Sequence, residues 1–178
     1  MLLGENLLYL WWNSKKKYKK LGAIKGYKEN AELDAVIQFW IEYWRKQGLA
    51  FPSVDPKLIK ALVAVESTFD PKASSTNPKS TAYGLMQITD QTRRILGGIP
   101  DGKGYREMPS HYIQLSRADL EDPVISIGAG TRWLFYKYTK IPKRAKKTLS
   151  NTIKNYHSWD DAGEAYMRKV EALYQKSK

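Results

Sequence analysis

The sequence contains no cysteine and only 2 histidines. Disulfide frameworks, thiolate zinc sites and thiol nucleophiles are thereby excluded, and a cofactor-free, metal-free mechanism built on carboxylates remains. The absence of cysteine assigns no compartment, because a reduced intracellular chain and a disulfide-free exported one look alike. No apolar run approaches the roughly 18 to 20 residues of a membrane span, so no transmembrane segment is expected. The apolar run Leu7 to Trp12 is short, and the lysines at 15, 16, 17, 19 and 20 follow it, the reverse of a secretory signal. A chain acting outside the cytoplasm is then expected to arrive by another route or as part of a longer parent. Acidic residues are scarce as well: 18 Asp plus Glu stand against 30 Lys plus Arg, a formal charge of +12. That excess attracts polyanions without choosing among nucleic acid, anionic lipid and bacterial wall polymers.

What is present suffices for a core. Hydrophobic residues make up 42% of the 178 residues, with 6 Trp and 12 Tyr, unlike the apolar-poor composition of disordered chains. Residues 1–30 combine an aromatic and leucine cluster, a lysine run and glycines at 22 and 26. They are read as a basic, aromatic N-terminal arm, a helical extension without assigned chemistry. Lys15 to Lys20 reads most simply as a solvated tail; the alternative is a membrane or wall anchor with Trp11 and Trp12.

Beyond the arm the punctuation is helical. Between Ala31 and Gln47 the residues Leu33, Val36, Ile37, Trp40, Ile41 and Trp44 recur at helical spacing, and Gly48 follows. Asp55 with Pro56 is a cap and first-turn pair opening a helix that runs to Glu66, closed by Pro71. Thr89 or Asp90 caps a short helix through Leu96, and Asp122 with Pro123 starts another whose Gly128 and Gly130 admit a close neighbour. Two more are expected over Thr148 to Asn155 and Asp161 to Gln175, whereas Ile99 to Arg117 reads as loop with room for a small hairpin. The expected class is mainly α, with no internal repeat and no parallel-sheet signature.

Glu66 sits on the stripe of Leu58, Ile59 and Leu62, on the wrong face for a charge. A carboxylate against apolar surface has its charged form disfavoured and can hold a proton near neutral pH. Periodicity alone would more often mean a rim position or a distant arginine partner. The adjoining residues point elsewhere. Leu62 to Ala73 reads Leu-Val-Ala-Val-Glu-Ser-Thr-Phe-Asp-Pro-Lys-Ala, and after a polar loop come Ala-Tyr-Gly-Leu-Met-Gln-Ile-Thr. Two weaker blocks follow, Asp119 to Leu134 and Asn155 to Val170.

In this order the blocks resemble the soluble lytic transglycosylases and their relatives the goose-type lysozymes, over Lys57 to Tyr174. The resemblance implies a lysozyme-like single catalytic domain over 31–178, α+β with minimal β, that cleaves peptidoglycan at the bacterial cell wall. It places Glu66 at the catalytic acid position, Ser75 at a polar position near a sugar subsite, and Gly84, Leu85, Met86 and Gln87 along the cleft. Tyr156 matches the tyrosine whose hydroxyl lies near the acid; as an isolated tyrosine it would be core packing. Thr89, Ser126, His157 and Ser158 depart from the family pattern and bear on substrate placement. His157 and His111 read as surface or loop residues.

The implied chemistry breaks the β-1,4 bond between N-acetylmuramic acid and N-acetylglucosamine, with Glu66 as acid and then base and a 1,6-anhydromuramoyl product. Hydrolysis with a reducing end would need a second carboxylate, for which Asp90 is the candidate; its simpler reading is a helix cap. Asp70 and Asp101 sit in turn contexts and are read as structural. The expected partners are glycan strands and, through charge, anionic wall polymers; no nucleic acid is expected, and no inhibitor or delivery partner is indicated. The competing classes are a nucleic-acid module, which salt-sensitive DNA binding with an inert Glu66→Gln would favour, and a wall-binding protein without turnover, which wall binding without released muropeptides would support.

Overall fold

A computed structural model describes the whole chain, Met1–Lys178, as seven α-helices and one two-stranded parallel pairing. The elements are β1 (Leu2–Leu3), α1 (Gly4–Trp12), α2 (Glu32–Lys46), α3 (Pro56–Ser67), α4 (Asp90–Leu96), β2 (Ile113–Gln114), α5 (Pro123–Thr139), α6 (Leu149–His157) and α7 (Asp161–Gln175). Side-chain oxygens satisfy the free N–H groups at five helix starts. Asp55 accepts from Lys57 N, Thr89 from Thr92 N, Asp122 from Val124 N and Ile125 N, Thr148 from Asn151 N, and Asp160 from Gly163 N. Of the two candidate caps for α4, Thr89 holds the position and Asp90 begins the helix. No helix is long and apolar enough to cross a membrane.

The axis of the fold is α5, whose residues Ile125 to Tyr136 are all buried. A helix apolar all round must be covered on all sides, and α1, α2, α4 and α6 pack against it. Gly128 is what lets α2 close in: a Cβ there would lie 2.7 Å from the Trp40 ring. Trp40 and Trp44 in turn donate indole N–H bonds to the carbonyls of Val124 and Gly128, at 2.9 and 3.0 Å, so their buried polar edges are satisfied.

Residues 1–30 contribute to the same core. Leu7 and Ile24 are fully buried within it, and Leu2 and Leu3 pair with Ile113 and Gln114. The hairpin allowed for in Ile99 to Arg117 does not form, because β2 finds its partner in the N-terminal segment. The stretch before α2 is clasped by a buried ion pair. The Lys60 ammonium, wholly enclosed, meets Asp34 Oδ1 at 2.6 Å and donates also to the carbonyls of Gly22 and Glu29, while Asp34 Oδ2 accepts from Leu21 N at 2.8 Å. The ammonium thus has three acceptors and each carboxylate oxygen a donor, the condition under which a buried pair is tolerated.

Candidate active site

The last turn of α3 delivers Glu66 to a cleft of about 760 Å³. Its walls include Ser75, Gln87, Trp133, Tyr156 and His157. The helix ends immediately afterwards, with Thr68 and Phe69 in the left-handed region at φ 53° and 66°. Burial pushes the Glu66 carboxyl up from 4.5 to about 7, against the opposing pull of a Tyr166 hydrogen bond and the Lys169 charge. Near neutral pH the group is therefore divided between acid and carboxylate, as a proton donor that must later accept one requires.

The partner of Glu66 is Tyr166 of α7, whose hydroxyl donates to Oε1 at 2.5 Å. Gly163 permits this approach: a Cβ at that position would stand 1.9 Å from the Ser158 carbonyl oxygen, so only glycine lets α7 start against the end of α6. Tyr156, expected near the acid, shares the cleft with it and feels its charge, while its hydroxyl donates to the Met86 carbonyl at 2.7 Å. Burial holds both phenols well above the usual tyrosine range, so each acts as a fixed neutral donor. The sequence offered one sign of Tyr166, its place with Gly163 and Val170 on a buried stripe of α7, and nothing about where its hydroxyl points.

The Gly84 to Gln87 segment lines the cleft only at Gln87. Leu85 and Met86 are core residues, 1% and 0% exposed, and Gly84 is packed away from the groove. The expectation that all four face the substrate is corrected accordingly. A tight turn bridged between Tyr83 and Ile88 turns the apolar side chains inward. Gly84, at φ 76°, is pressed so close to the Leu120 carbonyl that a Cβ would sit 2.4 Å from it. Ser126 Oγ, fully buried on α5, accepts from Met86 N at 3.4 Å, and Gln87 Nε2 donates back to the carbonyls of Ala73 and Gly84. The segment thus builds the wall that Tyr156 braces.

Ser75 lies on the cleft, its N–H bonded to the Ala82 carbonyl. Asp90 does not line it; the side chain is exposed on the outer face of α4 and pairs with Arg93 at 2.6 Å. The carboxylate that does reach the cleft besides Glu66 is Glu107, which the sequence did not single out because it lies in an aperiodic loop; it is held by Arg94. That loop is fastened to α5. Arg132 donates to the carbonyls of Ser110 and His111, and the Tyr136 hydroxyl to that of Glu107. Enclosure lowers the Arg132 guanidinium to about 10. His111 stays out of the cleft lining, whereas His157 joins it and stacks on Tyr166 at 5.1 Å between ring centres.

The helical architecture, with its minimal sheet and a raised-pKa acid in a groove, is that of the lysozyme-like class. Residues 42–167 match the model of the transglycosylase SLT domain, and the chain belongs to that family. A curated relative, membrane-bound lytic murein transglycosylase C of Photorhabdus laumondii subsp. laumondii, is 37% identical over 81 residues. The match covers 46% of this chain and 20% of that protein's length. No solved structure matches the chain significantly.

Proposed function

We propose that this domain cleaves the β-1,4 bond between N-acetylmuramic acid and N-acetylglucosamine in the glycan strands of peptidoglycan, at the bacterial cell wall. The observation that carries the reading is Glu66, a carboxyl raised to about 7 on the wall of a cleft of about 760 Å³. Family membership and the relative named for murein transglycosylase support it.

In the first step protonated Glu66 gives its proton to the glycosidic oxygen, the C1–O bond breaks, and positive charge develops at muramoyl C1. The substrate's own N-acetyl group shelters that centre. Glu66, now a carboxylate, takes the proton from the muramoyl 6-hydroxyl as O6 bonds to C1. The product is a 1,6-anhydro sugar, no water is consumed, and Glu66 ends protonated as it began. Tyr166 steadies the carboxylate in both states. The hydrolytic alternative needs a free carboxylate to position water, but Asp90 pairs with Arg93 outside the cleft and Glu107 is engaged by Arg94. Gln87 and Ser75 are the polar groups we assign to sugar contacts, and the formal charge of +12 favours approach to anionic wall polymers.

Digestion of purified peptidoglycan followed by mass spectrometry tests both parts. Anhydro ends are expected; reducing ends would replace the transglycosylase reading by hydrolysis, and no released muropeptides would overturn the assignment.

A further inference from the structure

The last two turns of α5 form a wall of the same cleft. Trp133, Tyr136, Lys137 and Lys140 share one side of the helix, and all four line the cleft that holds Glu66. The Lys137 ammonium lies 5.1 Å from the centre of the Trp133 ring and that of Lys140 lies 5.3 Å from the Tyr136 ring. Neither has a carboxylate partner. Of the acids on the cleft, Glu107 is bound by Arg94 and Glu66 by the Tyr166 hydroxyl. Lys140 is exposed at the mouth of the groove, whereas Lys137 is half-buried, and its burial lowers its proton affinity more than the field of Glu107 restores it. Helix C-termini attract lysines in any case, but a fully solvated ammonium would serve that purpose equally well. A partly desolvated, unpaired positive charge inside a groove is instead a place for an anion.

On the peptidoglycan reading above, the strand offers anions at only one kind of residue. N-acetylglucosamine is neutral, whereas the muramoyl residue carries a 3-O-lactyl arm, ending in a free carboxylate or in a stem peptide with carboxylates of its own. We infer that Lys137 and Lys140 form a carboxylate subsite for the acid-bearing arm of a muramoyl residue. Because muramoyl residues alternate with neutral ones, such an anchor sets the register of the strand and decides which of the two alternating β-1,4 bonds meets Glu66.

The test measures binding by calorimetry in the Glu66→Gln protein, which cannot turn over, with and without Lys137→Gln and Lys140→Gln together. Three probes are used: a neutral N-acetylglucosamine oligomer, a peptide-free muramoyl tetrasaccharide, and the same tetrasaccharide carrying stem peptides. The double change is expected to weaken one or both acid-bearing probes by about three- to tenfold, leave the neutral oligomer unaffected, and be reversed by Lys137→Arg with Lys140→Arg. Loss on the peptide-free probe assigns the lactyl carboxylate, and loss on the peptide-bearing probe alone assigns a stem-peptide carboxylate. Unchanged affinity for both acid-bearing probes, or an equal loss on the neutral oligomer, overturns the subsite. Failure of the Glu66→Gln protein with its lysines intact to bind any of the three overturns the peptidoglycan reading instead.

Discussion

The Tyr166 hydroxyl reaches Glu66 across 100 residues of chain to donate a 2.5 Å hydrogen bond. It ties α7 to the end of α3, and it is the only direct polar contact of the acid with another side chain. The bond favours the carboxylate and so opposes the burial that raises the pKa.

Replacing Tyr166 by Phe removes the opposing influence, and the Glu66 carboxyl rises further. The high-pH limb of kcat/KM, which reports deprotonation of the acid, is expected to move to higher pH, with kcat falling about tenfold as the carboxyl loses its orientation. A limb that stays in place would mean that the hydroxyl does not bear on the acid.

Glu66→Gln keeps the shape and removes the proton donor. Activity on peptidoglycan is expected to drop by about 100- to 10,000-fold, the usual range for a general acid, with circular dichroism unchanged. Undiminished lysis would remove Glu66 from the mechanism.

The same residue predicts a pH dependence of stability. Its folded pKa is raised from 4.5 to about 7, so between these values the native state binds more protons than the unfolded one, and stability falls as pH rises through that window. The shift corresponds to about 3 kcal/mol at about 1.4 kcal/mol per unit. Denaturant unfolding at pH 4.5 and pH 8 should show the decline in the parent protein and a flatter profile in Glu66→Gln.

Lys60→Ala strands the Asp34 carboxylate, 3% exposed, without its cation. A loss of about 3 to 5 kcal/mol is expected, read as a lowered denaturation midpoint, whereas Lys16→Ala, at the exposed pair with Glu42, should cost under about 1 kcal/mol.

Gly84→Ala places a Cβ 2.4 Å from the Leu120 carbonyl oxygen at a φ of 76°. Left-handed strain and overpacking together should cost about 3 kcal/mol, and the displaced Met86 carbonyl should loosen Tyr156, visible as faster hydrogen exchange in α6.

The helix starts could be read from residues because their cause is local. Asp55 with Pro56 and Asp122 with Pro123 satisfy N–H groups two or three positions away, and Glu66 stood out because its own helix places it on an apolar stripe. What escaped reading depends on turn geometry or on contacts between distant segments. Leu85 and Met86 turn inward because of a tight bridge between Tyr83 and Ile88, which no periodicity records. Asp90 reads chiefly as a cap and alternatively as a second carboxylate, and spacing does not fix which of Thr89 and Asp90 takes the cap: Thr89 takes it, and Asp90 pairs with Arg93 one turn on. Tyr166, Glu107 and the pairing of Leu2–Leu3 with Ile113–Gln114 join points far apart in the chain, and a two-residue strand has too few side chains to announce its register.

That short pairing reaches beyond its own hydrogen bonds. Leu2 and Leu3 brace β2 at the end of the stretch that carries Tyr105 and Glu107 into the groove. The opening dozen residues therefore act as a buttress for the rim of the cleft that holds Glu66.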